Sequence, residues 1–168
     1  MTEWLLLILA TGLTFGTAVF VAAEFSLVAL DRPTVQGAYD AGHPRAGSVL
    51  VSLRALSTQL SAAQVGITVT TLIVGYLAQP SLGALIAAGL SRFGWSEAVL
   101  SSVSSAVALV LVTVFSMVVG ELVPQFLGIS APLETAGVVA GPVRGFSVVA
   151  GPLITVLNGS ANAALRGM

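Results

Sequence analysis

Two glutamates stand at the ends of long uncharged runs, and their carboxylates are the first candidates for chemistry in this sequence. Glu24 follows twenty uncharged residues, and Glu121 closes a second such run. A carboxylate that faces lipid is costly, so each should face protein, water or a cation. Carboxylates, hydroxyls and backbone carbonyls are the hard oxygen ligands of Mg²⁺ and Na⁺. For Glu24 an interfacial carboxylate that reaches water, or that pairs with Arg32 or Arg54, is an equal alternative. For Glu121 we favour a functional role.

Polar and small residues recur at helical spacing along the same runs. Steps of three, four or seven residues place such residues on one face of a helix. The three faces are Thr14, Thr17 and Glu24; Ser61, Gln64, Thr68, Thr71 and Gly75; and Thr113, Ser116 and Gly120. Close packing of membrane helices explains such faces without an ion, and the G-x-x-x-G spacing of Gly12 and Gly16 fits packing too. Ion coordination is the competing interpretation, which the two glutamates strengthen.

The composition places these residues in a membrane. Of the 168 residues, 56% are hydrophobic and 8% are charged, and the mean hydropathy is +1.01. A soluble domain carries about a quarter charged residues, so a soluble enzyme, a nucleic-acid binder with a basic stripe and a disordered linker are excluded. The chain has no Cys and one His. We therefore expect no thiolate metal site, no Ser–His or Cys–His arrangement and no enzymatic activity.

Uncharged runs predict the spans of an all-α integral membrane domain that occupies residues 1–168. Three runs are long enough to cross a bilayer as helices, and they lie at about 4–29, 57–78 and 98–121. Pro80 and Gly83 divide the second run, so we expect residues 81–90 to form a short interfacial or re-entrant segment. Residues 31–54 carry five of the thirteen charged residues and predict a polar connection with helical pieces on the surface.

The last part of the sequence has a different pattern. Pro124 removes a backbone donor, so we expect it to end the third helix after Glu121 and to expose carbonyls. Residues 145–165 are uncharged but contain Pro152. We assign them to a juxtamembrane helix in the interface, and a fourth span is the alternative.

The placement of arginine predicts the orientation in the membrane. Five of the six basic residues, all of them Arg, lie in the first loop or after the third span, and only Arg92 lies in the second loop. Because cytoplasmic loops are enriched in basic residues, we expect the N-terminus outside and the C-terminus in the cytoplasm. The membrane would be the plasma (inner) membrane.

Three stretches carry a resemblance to a known family. They are FVAAEFSLVALDR at 20–32, QVGITVTTLIVGYLAQPSL at 64–82 and VVGELVPQFLGISAPLETA at 118–136. Their order and spacing resemble the transmembrane domain of the CNNM/CorC family of magnesium transport proteins. The last stretch is the most specific, because it is similar to the family's Gly-Glu-x-x-Pro-Lys signature.

The resemblance implies a dimer with three spans per subunit and a juxtamembrane helix around the bundle. It also implies Mg²⁺ export, coupled to Na⁺, through a cavity open to the cytoplasm. Glu121 matches the family's third-span glutamate, and Gly66 matches the second-span glycine. Family chains usually continue into a cytoplasmic CBS pair and often a further domain, and neither lies within these residues.

Three positions depart from the family pattern. Val21, Ile67 and Gln125 stand where many members have serine, asparagine and lysine. Val21 and Ile67 offer no side-chain oxygen, and Mg²⁺ requires nearly octahedral oxygen coordination. Thr68 and Thr71 are the candidates to replace the two ligands.

The polar residues together predict a metal site and a path that leads to it. The predicted metal residues are Glu121, Thr68, Thr71 and Gly66, and the predicted path-lining residues are Glu24, Thr17, Gln64 and Ser116. The alternative function is a non-transporting membrane scaffold or regulatory subunit that pairs with a related transporter. The expected partners are membrane lipid and a second copy of the chain, or a related chain in a heterodimer, and no nucleic acid is expected.

Overall fold

The computed structural model describes residues 2–166, with the backbone alone described at 158 and 161–166. The helices are α1 (Thr2–Val28), α2 (Arg32–Asp40), α3 (Ala46–Arg54), α4 (Leu56–Leu90), a 3₁₀ turn (Ser91–Phe93), α5 (Glu97–Phe115), a π-helical segment (Ser116–Leu122), α6 (Val123–Ser130), α7 (Pro132–Val149) and α8 (Gly151–Arg166). No strand occurs within the described range. The all-α prediction is confirmed.

Three helical runs are long and apolar enough to cross a membrane, as the sequence predicts. They are Thr2–Val28, Leu56–Phe93 and Glu97–Ser130. The first of them, α1, is the centre of the bundle, since it packs against α4, the π-helical segment, α6 and α7. Its residues Thr14, Thr17 and Val21 are consequently buried.

The break expected at Pro80 is absent, because α4 continues through this proline. Gly83 lies close to α5, where an added Cβ would be 3.8 Å from Cβ of Ala108. Ser81 is buried, and its hydroxyl donates to a carbonyl one turn earlier at 2.8 Å. Packing against a neighbouring helix compensates for the hydrogen bond that proline removes. Residues 81–90 are therefore the end of the second span and not a separate segment.

The third span also continues past the point where the sequence predicts its end. The helix changes to π-helical hydrogen bonding at Ser116–Leu122 and resumes as α6. Pro124 is the second residue of α6 and directly follows the π-helical segment, so the helix continues although Pro124 has no backbone N–H. The expectation that Pro124 ends the helix after Glu121 is wrong, because the π-helical turn accommodates the change in hydrogen bonding.

The polar connection folds as two short helices, which confirms the prediction for residues 31–54. Asp31 caps α2 by accepting the Thr34 N–H at 3.0 Å. Hydrogen bonding by the Thr34 side chain, and next by its backbone N–H, holds the pKa of the Asp31 carboxyl below its usual value. Val35 of α2 and Val49 of α3 are fully buried in a cluster that includes Ala136 of α7.

The C-terminal region is a bent pair of helices. The axes of α7 and α8 differ by 78°, with the bend after Val149. Pro152 is the second residue of α8. Proline is tolerated in the first turn of a helix, but it would disrupt a single helix that continued from α7 into α8. The helix predicted at about 145–165 corresponds mainly to α8, and the first residues of that range belong to the end of α7. The pair is apolar enough to form a broken span or a re-entrant loop, so its interfacial position stays a prediction.

Candidate functional site

Glu121 lies in the π-helical segment and helps to form a small pocket where the three spans meet. The pocket has a volume of about 10 Å³, close to the space needed by one water molecule. Its walls are Thr14 and Thr17 of α1, Thr71 and Val74 of α4, and Ser116 and Glu121 of the π-helical segment. The structure therefore brings together four of the predicted site residues, namely Thr17, Thr71, Ser116 and Glu121.

The π-helical segment explains how Ser116 and Glu121 share this pocket. In an α-helix, residues five apart point about 140° away from each other. The wider π turn hydrogen-bonds residue i to residue i+5 and reduces this angle. Gly120 is buried beside them, and a Cβ added there would lie 3.3 Å from Cγ2 of Thr14. The missing side chain at Gly120 thus lets the segment approach α1 closely.

The Ser116 hydroxyl faces two cavities. It is buried and has no hydrogen-bond partner in the described part of the chain. Together with Thr14 and Val74 it lines both the small pocket and a larger cavity of about 370 Å³. The remaining walls of the larger cavity are mostly apolar: Leu7, Ala10, Thr11, Ala78, Leu82, Leu111, Val112 and Phe115. The polar pocket therefore adjoins a space with few oxygen ligands.

Thr70 connects α1 to α4 beside the pocket, and the sequence analysis missed it. Its hydroxyl lies 2.7 Å from the Thr17 hydroxyl, with which it shares a hydrogen bond. It also donates to the Gly66 carbonyl at 2.7 Å. Steps of four residues in α4 join Gly66, Thr70 and Val74. This spacing, starting from the predicted Gly66, is the signal that could have identified Thr70.

Gly66 and Thr68 lie outside the lining of the pocket. A Cβ added to Gly66 would be 2.6 Å from three ring atoms of Phe20, so the missing side chain permits close packing of α4 on α1. Thr68 is exposed, and its hydroxyl donates to the Gln64 carbonyl at 2.8 Å. A role for either residue as an ion ligand stays a prediction.

Glu24 and Gln64 form a separate polar contact between α1 and α4. The Gln64 amide donates a hydrogen bond to the Glu24 carboxylate. The sequence left open a pairing of Glu24 with Arg32 or Arg54, and no such ion pair is present among residues 2–166. Neither Glu24 nor Gln64 lines the pocket around Glu121.

The comparisons with known proteins give the family. The family model described as "Cyclin M transmembrane N-terminal domain" matches residues 8–168. The chain belongs to this CNNM family. It is accordingly a multi-pass membrane protein.

Relatives of this CNNM domain occur in several bacteria. The UPF0053 protein MT1890 of Mycobacterium tuberculosis is 48% identical over 156 residues, which are 92% of this chain and 34% of the relative. The UPF0053 protein YhdT of Bacillus subtilis is 37% identical over 155 residues, with the same coverage of 92% and 34%. The chain thus spans about a third of the length of these relatives.

The donor set of the CNNM domain's pocket consists mainly of neutral oxygens. Glu121 supplies the carboxylate, and threonine and serine supply hydroxyls. No group of three or more His, Asp or Glu that could hold a metal occurs within the described residues. One carboxylate with hydroxyl groups fits a hard cation. One carboxylate would compensate only one of the two charges of a divalent cation. A site with this property would bind the cation weakly enough to release it.

Two of the departures from the family pattern lie near the predicted site in the sequence. Val21 is 4% exposed and Ile67 is half-buried. Neither lines the pocket around Glu121. Oxygen ligands that a serine and an asparagine would supply at these positions are absent from this CNNM domain.

Proposed function

We propose that this CNNM domain transports Mg²⁺ out of the cell across the plasma membrane, coupled to Na⁺, and that the ion binds in the pocket around Glu121. The observation that carries the proposal is the position of Glu121. Glu121 and hydroxyl-bearing residues of all three spans line the same small pocket. Such intramembrane carboxylates mark ion pathways.

The mechanism is ligand exchange and breaks no covalent bond. Glu121 and the hydroxyls of Thr17, Thr71 and Ser116 would replace part of the hydration shell of Mg²⁺. Because Mg²⁺ loses water reluctantly, the ion would keep water in its remaining positions. Competition by Na⁺ for the Glu121 carboxylate would then favour release.

We further propose an orientation with the N-terminus outside and the C-terminus in the cytoplasm. The arginines of the polar connection would then lie at the cytoplasmic end, where basic residues concentrate. In this orientation Glu24 and Gln64 lie at the cytoplasmic ends of their spans. They would line the path by which the ion reaches the pocket.

The proposal includes a homodimer within membrane lipid, with a related chain as an alternative partner. Support comes from large side chains on α4 that nothing in the described chain covers. Leu72 is 69% exposed and Tyr76 is 81% exposed. Lipid or a second subunit would cover these side chains.

A second candidate function is a non-transporting scaffold or regulatory subunit. Val21 and Ile67 favour it, because neither can supply an oxygen ligand. In this case Glu121 would contribute to packing or partner binding and would bind no ion. The two candidate functions differ in whether the folded domain binds Mg²⁺.

Thermal unfolding of the detergent-purified domain across a Mg²⁺ titration distinguishes the two functions, with Ca²⁺ and Na⁺ as ion controls. A ligand of the folded state adds about 2.7 kcal/mol of stability at a hundredfold excess over Kd. We expect a saturable, Mg²⁺-selective rise in melting temperature that Glu121→Gln abolishes. Glu97→Gln is the matched control, because Glu97 is exposed at the start of α5 and lies outside the pocket.

Two results would contradict the ion site. A flat titration of the well-folded domain would favour the scaffold. A rise that survives in Glu121→Gln, or that Glu97→Gln abolishes equally, would move the ion away from this pocket.

A further inference from the structure

A cavity at the polar end of the bundle is lined by two arginines. It lies between α2 and α3 and has a volume of about 300 Å³. Its walls are Arg32, Pro33, Gln36, Leu50 and Arg54. None of these residues lines the pocket around Glu121, so the two sites are independent.

The two guanidinium groups have unused hydrogen-bond donors. Arg32 donates one hydrogen bond, to the Leu53 carbonyl at 3.2 Å, which fixes its position at the cavity. Neither Arg32 nor Arg54 forms an ion pair within the described residues. A guanidinium group has five N–H donors. Most of the hydrogen-bonding capacity of both side chains is therefore available to a ligand.

The carboxylates of the two neighbouring aspartates already accept hydrogen bonds from residues of α2. The Asp31 carboxylate accepts the Thr34 N–H at 3.0 Å. The Asp40 carboxylate accepts the Gln36 amide at 2.9 Å. Two like charges that share one cavity repel each other. An anion between them would remove this repulsion.

The location of the arginines specifies the kind of anion. Arg32 comes four residues after the end of α1, and Arg54 comes two residues before the start of α4. Both therefore lie at the same end of two membrane-spanning helices, where the phosphates of lipid head groups are located. Leu50 and Pro33 add an apolar wall beside the charged groups. This combination fits a phosphate attached to an apolar molecule better than a freely diffusing ion.

We propose that this cavity binds the phosphate group of an anionic lipid. Arginine pairs with phosphate through two parallel N–H···O bonds. Arg32 and Arg54 would hold the phosphate oxygens, and Leu50 would contact the glycerol backbone or the upper acyl chain. The bound lipid would tie the polar connection to the membrane surface.

The test is a lipid titration of the detergent-purified domain, followed by thermal unfolding. Phosphatidylglycerol is the anionic probe, phosphatidylcholine the zwitterionic control and inorganic phosphate the soluble control. We expect phosphatidylglycerol to stabilise the protein saturably and more than either control. Arg32→Gln and Arg54→Gln should each weaken its apparent affinity about tenfold or more, since each removes hydrogen bonds to a charged group.

Arg45→Gln is the matched control for charge. Arg45 belongs to the same polar connection but does not line the cavity, so its replacement should leave the affinity unchanged. The same loss in all three variants would overturn the site in favour of a general surface charge. Equal stabilisation by phosphatidylcholine would overturn the anionic lipid. Saturation by inorganic phosphate alone would overturn the lipid source and assign the cavity to a soluble phosphate.

Discussion

At the scale of the residue, hydroxyl groups determine what the interior of the bundle can bind. The pocket is lined by one acidic residue, Glu121, together with threonine and serine residues. Beside it, Thr17 and Thr70 share a hydrogen bond of 2.7 Å across α1 and α4. The hydroxyl of Ser116 has no partner in the described chain. Thr17 and Thr70 therefore connect two helices, whereas the Ser116 hydroxyl still has its hydrogen-bonding capacity available.

The Thr17–Thr70 hydrogen bond should be measurable by a double-mutant cycle. We expect Thr17→Val and Thr70→Val each to lower the free energy of unfolding, with a coupling energy of about 0.6 kcal/mol, the typical value between membrane helices. The double variant should lose less than the sum of the two, because neither hydroxyl is then left alone. Denaturant unfolding in detergent measures all four proteins.

Thr11→Val is the control for this cycle. The Thr11 hydroxyl donates within its own helix, to the Leu7 carbonyl at 2.8 Å. Its replacement should be additive with Thr70→Val. Additivity of Thr17→Val with Thr70→Val would show instead that the two hydroxyls do not interact.

At the scale of the element, glycines set how closely the spans approach one another. Gly12 was expected to belong to a close-packing motif with Gly16, but an added Cβ at Gly12 would meet nothing within 4 Å. The close approaches occur elsewhere. Added Cβ atoms would be 2.6 Å from Phe20 at Gly66 and 3.0 Å from the Ser26 nitrogen at Gly128. Glycine spacing within one helix did not predict these contacts, because they depend on the facing helix.

Gly66→Ala should destabilise the packing of α4 against α1. The Phe20 ring has little freedom to retreat, since it stacks edge-on against Phe146 with ring centroids 4.8 Å apart. Overpacking of this kind typically costs about 1–3 kcal/mol. We expect a lower melting temperature for the purified domain, and partial recovery when Phe20→Leu is added.

Gly75→Ala is the matched variant on the same helix. An added Cβ there would meet nothing within 4 Å, and alanine favours helix by about 1 kcal/mol over glycine. Its melting temperature should stay the same or rise. A fall as large as that of Gly66→Ala would contradict the packing argument.

The sequence predicts where the spans lie better than it predicts where each helix breaks or continues. Uncharged runs locate all three spans, because span length and hydropathy are local properties. The helix through Pro80 and the π turn at Ser116–Leu122 depend on contacts with α5 and α1, which a single run does not contain. For the same reason the polar stripe of α4 includes both Thr71, which lines the pocket, and Thr68, which does not.

At the scale of the whole molecule, α1 organises the bundle and the polar connection closes one end of it. Besides its contacts with the other spans, α1 packs against α7. His43 of the polar connection reaches Glu134 at the start of α7, with Nε2 and Oε1 3.0 Å apart. The first connection and the C-terminal helix pair therefore lie at the same end of the bundle.

The proposed orientation can be tested with single cysteines, because the chain has none of its own. Ala41→Cys places a thiol on the polar connection, and Ser96→Cys places one before α5; both positions are exposed. With the N-terminus outside, a membrane-impermeant maleimide should label Ser96→Cys in intact cells and Ala41→Cys only after permeabilisation. The reverse pattern would invert the orientation, and labelling of both in intact cells would contradict the assignment of the second span.

The apolar cavity beside the pocket bears on the direction in which an ion could leave Glu121. Its 370 Å³ are bounded largely by apolar side chains such as Leu7, Leu82 and Leu111, and Thr11, Thr14 and Ser116 are its polar residues. For the proposed ion, leaving Glu121 in this direction would mean exchanging oxygen ligands for a mostly aliphatic wall. This apolar lining would therefore be a barrier to the ion. The direction toward Glu24 and Gln64 would offer it more oxygen ligands.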